Sequence, residues 1–385
     1  MNKLKGFISI VFVFLLFITF FNGFGFRSLY LLCGFLLLLI SILLSIIIHY
    51  TKENRKLFSI IMVWIMYHVI IFAFQPTLIS AYISLQHIGI IMFFWLMYNM
   101  FEKNLNVELF VKLFRVLHYS ILLLLLYVVT YSKSNMFLFE PYIYLGLSTL
   151  FYATVKMKKF RAIKVFFLSL CWAYISLTIG ARSQILSFII FAGCFYLFKK
   201  IKNKTKIFNH LFIIYYICLN IFPLVYSWLS NSIYRIKLDR IALLLTSSRF
   251  FSGRDVLWIN LYSSFSTPFQ KLFGLGLNTT GEIVRNNISL HNFYVTMISE
   301  GGIVLVVIMG FLLYEIWKKL NLKETTASKV TMAYIVSVLY KQSFDISLIE
   351  NNLYVAFAIW LTISIGLIYN NQNKENKKNE EKIII

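Results

Sequence analysis

The residues of this chain that could hold an anion are unevenly placed. Lysine outnumbers arginine 27 to 10, yet Arg27, Arg182, Arg235, Arg240, Arg249, Arg254 and Arg285 all fall on one side of the topology argued below, with only 4 lysines. The other side carries 23 lysines and 3 arginines. A charge that only orients a membrane protein can be either cation. Arginine differs in its planar fork, which binds phosphate oxygens in pairs where lysine acts as a point charge. The bias points to a site for a phosphorylated or otherwise anionic ligand. The competing reading is that these arginines snorkel at helix ends or pair with Asp239, Asp255 and Glu282.

Within the segment holding most of them, Ser252-Gly-Arg254-Asp255 precedes Val256, Leu257, Trp258 and Leu261. The pattern predicts a helix capped by Ser252, with Asp255 completing a capping box, that ends before Pro268. Arg254 then stands in the first turn, where a cation opposes the helix dipole, so helix stability does not account for it. A helix N-terminus with an arginine suits an oxyanion or phosphate. Arg249 is a second candidate. Arg182 occupies a tight turn, Gly180-Ala-Arg182-Ser183, at headgroup depth.

His291-Asn292 marks the re-entry into an apolar run, where a histidine can act as a general base or be structural. Glu300 follows nine residues later, which on a regular helix is the opposite face, so the two form no same-face dyad. A carboxylate at that depth is a functional candidate, or one half of a structural pair. His68, His87 and His118 lie within apolar runs and are expected to hydrogen-bond between helices. Gly274-Leu-Gly276 reads as a tight turn or a close approach to a helix. No paired carboxylates, His/Cys cluster or nucleophile elbow accompanies these residues, so neither a metal nor another cofactor is expected. The chemistry would rest on arginines and backbone dipoles.

The elements that must position them are membrane helices. The chain has 385 residues, of which 59% are hydrophobic and 14% charged. Ordinary globular proteins have about 45–50% and about 25%. The apolar residues come in runs long enough to cross a bilayer. The expected spans are 6–22, 28–48, 57–74, 78–100, 108–130, 137–154, 162–180, 184–198, 207–228, 291–317, 326–343 and 351–369. The first follows Met1–Lys5 with no small-residue cleavage site after it, and is expected to be retained. The lysine-rich loops, including Lys199, Lys200, Lys202, Lys204 and Lys206, alternate with connections that are short but for one, which places them and both termini in the cytoplasm. The formal charge of +22 is therefore mostly topogenic, and nucleic acid is not an expected partner. The four cysteines sit inside apolar runs without metal spacing and are expected to be inert core residues. Residues 229–290 form one large extracytoplasmic loop whose aliphatic and aromatic content argues for order.

In order and spacing, these residues resemble the bacterial O-antigen polymerase and O-antigen ligase family. The resemblance covers roughly 165–320 and rests on Ser252-Gly-Arg254 with Trp258, Leu272-Phe-Gly274-Leu-Gly276, His291-Asn292 with nine residues to Gly302, and the Arg182 turn. Arg182 with ten residues to Gly193 also fits a polymerase spacing. The ligase pattern departs at Leu305. Residues 1–160 show only generic membrane character, and 371–385 read as a cytoplasmic tail. The resemblance implies an all-α, polytopic integral membrane protein of about twelve helices in the bacterial cytoplasmic membrane, similar in architecture to lipid-dependent, metal-independent GT-C glycosyltransferases. It implies an undecaprenyl-diphosphate-linked oligosaccharide as partner, and a capsular or O-antigen-type polymerase. In that role Arg182, Arg249 and Arg254 hold the diphosphate, His291 activates the acceptor hydroxyl or orients the substrate, and Glu300 and Asn292 support them. The pathway's flippase and chain-length regulator would be further partners. Other readings stay open from sequence: a ligase, a flippase, a non-catalytic regulator, or a peptidoglycan- or protein-glycosylating enzyme. The Lys-, Asn- and Ile-rich composition, common in Gram-positive bacteria, leans away from a ligase.

Overall fold

A computed structural model describes residues 27–47, 54–103, 107–131, 140–155, 161–179, 181–201, 205–246, 250–251, 253–277, 290–322, 325–349 and 353–383. The described residues form helices joined by turns: α1 (Arg27–Ile47), α2 (Arg55–Phe74), α3 (Leu78–Lys103), α4 (Val107–Tyr131), α5 (Glu140–Val155), α6 (Arg161–Ile179), α7 (Arg182–Lys200), α8 (Thr205–Ser230), α9 (Arg235–Thr246), α10 (Arg254–Ser264), α11 (Pro268–Phe273), α12 (Phe293–Asn321), α13 (Thr326–Lys341) and α14 (Leu353–Ile383). The described part of each expected span from 28–48 onward centres on one helix, with 291–292 and 342–343 lying just outside α12 and α13. The run 6–22 lies outside the described residues. Among the described residues, six helices are long and apolar enough to cross a membrane, over Arg55–Phe74, Leu78–Met100, Val107–Thr130, Ser183–Lys200, Thr205–Ser230 and Phe293–Asn321. The apolar stretches Cys33–Ser45, Leu145–Val155, Ile163–Thr178 and Leu353–Tyr369 are shorter. The stretch 371–383 continues α14 as helix.

The outward faces show which solvent the fold is built for. On α8, Ile207, Leu211, Ile214, Ile217, Ile221 and Leu224 recur at helical spacing and are exposed. Met62, Val63, Met66, Val69 and Ile70 do the same on α2. Apolar exposure on this scale is unstable in water and normal against lipid tails. The chain is an all-α membrane protein. Its interior is aromatic: Trp64, Trp95, Trp172, Trp317 and Trp360 are fully buried in the bundle. Helices α3, α13 and α14 pack centrally, and α12 lies between α2 and α8. Cys33 is buried as expected, but Cys218 is exposed on α8, because an apolar run in a lipid-facing helix has two apolar faces and only one is core.

Polar contacts sort the connections into two ends. At one end Asn54 Nδ2 donates to Glu102 Oε2 at 3.2 Å and Lys319 Nζ donates to Asn54 Oδ1 at 2.8 Å. Lys56 pairs there with Glu315, and Asn321 Nδ2 donates to the Thr205 carbonyl at 2.7 Å. The lysines that close α7 and α12 lie at this end, where cations complement helix C-termini. At the other end the turn between α2 and α3 meets the 229–290 segment. Gln75 Nε2 donates to the Leu275 carbonyl and Ser80 Oγ to the Leu277 carbonyl, each at 3.3 Å.

The 229–290 segment is no open loop, since α9, α10 and α11 are formed within it. A second apolar cluster of Tyr226, Phe251, Trp258, Leu261, Phe265, Leu290 and Val295 joins α10 to the end of α8 and the start of α12. Helix α11 is closed by a full capping box, with Thr267 and Gln270 exchanging bonds and Pro268 at the first helical position.

Candidate functional site

Helix α10 begins one residue later than its sequence predicts. Its N-cap is Gly253, in the left-handed region at φ 84°, with no side-chain capping bond. Asp255 thereby becomes the second helical residue instead of the third; Ser252, the other half of the expected capping box, lies outside the described residues. The Asp255 carboxylate is 1% exposed, and among the described residues neither oxygen has a hydrogen-bond partner. The helix ends at Ser264, before Pro268, as predicted.

Two bonds aim α10. Tyr226 Oη donates to the Phe250 carbonyl at 2.8 Å, fixing the approach to the helix. Trp258 Nε1 donates to the Leu290 carbonyl at 2.9 Å, fixing the chain next to His291. Arg254 and Trp258 are four residues apart and share a helix face. The tryptophan that grips Leu290 therefore brings Arg254 to His291. Both are half-buried.

The floor of this arrangement is the turn after α13. Asn292 caps α12 by accepting from Val295 N at 3.0 Å, and its Nδ2 donates to the Ser343 carbonyl at 2.8 Å. Phe293 N is shared between the Gln342 and Asp345 carbonyls at 2.9 and 3.0 Å. Arg254 Nη1 donates to the Phe344 carbonyl at 3.2 Å. Four successive carbonyls at the negative end of α13 are thus held by three residues from elsewhere in the chain. Lys341 and Asp345, four residues apart, pair across this turn at 3.5 Å, and both are buried.

His291 stands just before α12 begins, outside the membrane-spanning helix, and has a left-handed backbone at φ 47°. For a residue with a Cβ this is a strained conformation costing about 1–3 kcal/mol, of a kind that clusters at functional sites. Burial holds its imidazole below the ordinary histidine range. The Arg254 charge acts in the same direction, and the Asp345 charge opposes both. A neutral imidazole can take a proton from a hydroxyl, while a guanidinium beside it can stabilise departing phosphate oxygens.

The structure brings Arg254, His291 and Asn292 together, and Asn292 serves as a cap and a tie. Arg182 is the first residue of α7, at the end of that helix opposite Lys199 and Lys200. Arg249 lies outside the described residues. Glu300 faces away from this cluster, toward His87 of α3, whose Nδ1 is 3.9 Å from Glu300 Oε2. Sequence reasoning missed Lys341 and Asp345 as site residues. Their signal is a pair of opposite charges four residues apart at the edge of an apolar run.

Glu300 marks a break in α12. Gly302 is non-helical at φ 65°, ψ −165°. Leu275 N donates to the Ser299 carbonyl at 2.6 Å, and a Cβ on Gly274 would lie 2.5 Å from the Glu300 carbonyl. The Gly274-Leu-Gly276 segment is therefore a close backbone approach to a helix. His68 meets His87 at 3.1 Å and His118 meets Thr149 at 3.2 Å, both between helices.

No family model matches the chain, and no curated protein matches it at significance.

Proposed function

We propose that the protein is a membrane glycosyltransferase that polymerises a capsular or O-antigen-type polysaccharide. It transfers the growing glycan from its undecaprenyl-diphosphate carrier onto the next lipid-linked repeat unit, in a twelve-span bundle whose 229–290 segment faces outward. The observation that carries this reading is the meeting of Arg254 and His291, one a fork for phosphate and the other a neutral base, around the capped end of α13. In the reaction an acceptor hydroxyl oxygen attacks the donor's anomeric carbon and gives its proton to His291. The bond from that carbon to the diphosphate oxygen breaks, and Arg254 holds the leaving diphosphate, with Arg182 and Arg249 as further candidates from the same reading. Each arginine–phosphate fork forms two charge-assisted bonds. The step needs no redox partner.

The test is the size distribution of surface and lipid-linked saccharide in a deletion strain complemented with wild type or Arg254→Ala at matched protein level. Single lipid-linked repeats accumulating on the outer leaflet with Arg254→Ala, and long chains with wild type, is the expected result. Repeats trapped on the inner leaflet would mean a flippase instead. Long lipid-linked chains that never reach an acceptor would mean a ligase.

A further inference from the structure

A second polar cluster lies inside the bundle, away from Arg254 and His291. His68 of α2 is fully buried, as is His87 of α3, and Glu300 of α12 is 1% exposed. Their protons can be assigned from geometry. His68 Nδ1 faces the Trp64 carbonyl at 2.9 Å, and a carbonyl only accepts, so Nδ1 carries the hydrogen. In a neutral ring His68 Nε2 is then bare. Its neighbour at 3.1 Å, His87 Nδ1, must donate to it. Glu300 Oε2 is 3.9 Å from that same nitrogen. The Trp64 indole holds the backbone of His87, donating to its carbonyl at 3.3 Å, which fixes α2 against α3.

Glu300 lies two residues before the break of α12, and its backbone carbonyl borders the segment 272–277. Tyr67 Oη donates to the Gly301 carbonyl at 2.7 Å, so α2 grips the break from one side. From the other side the segment enters it, through Leu275 N on Ser299 and Gly274 against the Glu300 carbonyl. Among the described residues, the titratable groups that neighbouring elements bring to this stretch include Tyr67 and His68 of α2, His87 of α3, Tyr216 of α8 through its bond to Val306, and the exposed Lys271 of α11.

In a low-dielectric interior the neutral combination of the three central groups is the stable one. That combination holds one dissociable proton, either on Glu300 or on His87 as an ion pair with Glu300. We propose that Glu300, His87 and His68 form a buried proton-binding site, and that the bound proton keeps segment 272–277 seated in the break of α12. On loss of the proton, the Glu300 O–H or His87 N–H bond breaks, the proton passes to water, and a net negative charge remains next to the break that the segment fills. Hydrating that charge requires water to enter where the segment packs. The inference does not depend on the glycan-transfer reading, since it concerns groups that the reading does not use as acid, base or phosphate ligand.

The test uses the full chain in lipid nanodiscs, with its four cysteines replaced and a single cysteine at Leu277, a position 1% exposed whose carbonyl is held by Ser80. Maleimide labelling is followed from roughly pH 5 to pH 9, a range that spans histidine and shifted carboxyl titrations. It is divided at each pH by the labelling of a cysteine at the exposed position Ser263, which removes the ionisation of the thiol itself. The expected result is a ratio that rises about tenfold with pH, equivalent to roughly 1.4 kcal/mol of seating free energy. Glu300→Gln, neutral at every pH, holds the ratio low throughout, and His87→Asn moves the midpoint along the pH axis. A flat ratio in the otherwise wild-type protein overturns the proposal. So does a rise that Glu300→Gln reproduces. If Glu300→Gln does not fold, an unmoved midpoint in His87→Asn overturns it instead.

Discussion

His291 is held in a strained backbone, half-buried, between a cation and a carboxylate. Its folded pKa lies below the ordinary 6.5, so on acidification the unfolded chain takes up the proton first. The stability this group contributes is complete above about pH 6.5 and is lost as pH falls from there toward the folded pKa. His291→Gln is expected to flatten this acid limb in a plot of Tm against pH. Under the transferase reading, the acid limb of the transfer rate lies below pH ~6.5. Asp345→Asn removes a charge that raises the imidazole's pKa, so it shifts that limb further down. For Arg254 the informative change is to lysine, which keeps the charge and loses the fork. Loss of one well-placed donor to a developing anion costs roughly 10²–10³ in rate, and Arg254→Lys is expected to fall in that range in a transfer assay with purified lipid-linked repeats.

Among the elements, α12 carries the most information. Its start depends on Asn292, which caps the helix and ties it to Ser343 in one side chain. Loss of a cap costs about 0.5–2 kcal/mol, and a buried carbonyl left unpaired adds about 1–3 kcal/mol. Asn292→Ala is expected to lower thermal stability by a sum of that size, whatever it does to activity. The glycines of the break are equally testable. A Cβ on Gly302 would collide with the Leu272 carbonyl, at a φ that side chains avoid, whereas a Cβ on Gly193 in α7 meets nothing within 4 Å. Gly302→Ala should therefore destabilise by several-fold more than 1 kcal/mol. Gly193→Ala should stabilise by up to about 1 kcal/mol, because it relieves a helix-interior glycine. The helices themselves were readable in the sequence, because long apolar runs leave few alternatives. The pairing of Arg254 with His291 was readable only as order along the chain. What the sequence could not carry is the contribution of α13. Lys341, Asp345 and the carbonyls between them become part of the site only because the chain folds back there, and no local pattern announces a carbonyl that a distant arginine will hold. The start of α10 differs from the expectation for a smaller reason: Gly253 turns the chain in a left-handed conformation and becomes the N-cap itself.

At the scale of the whole molecule, the polar contacts separate a lysine-rich end from an end built on the 229–290 segment. Cysteines placed at Ser263 and at Lys318 are expected to label from opposite sides of a sealed vesicle, with Ser263 reached from outside the cell. Labelling of both from one side would remove the transferase reading altogether. The burial of the tryptophans has a spectroscopic consequence. Six of the seven indoles are sealed inside the protein, and the seventh, Trp228 at the end of α8, is 66% exposed. Bromine atoms placed at defined depths along the acyl chains of a lipid quench an indole only on near contact. They should dim one emitter of seven, and the depth at which they do so reports how far the site-bearing end of α8 stands from the middle of the bilayer.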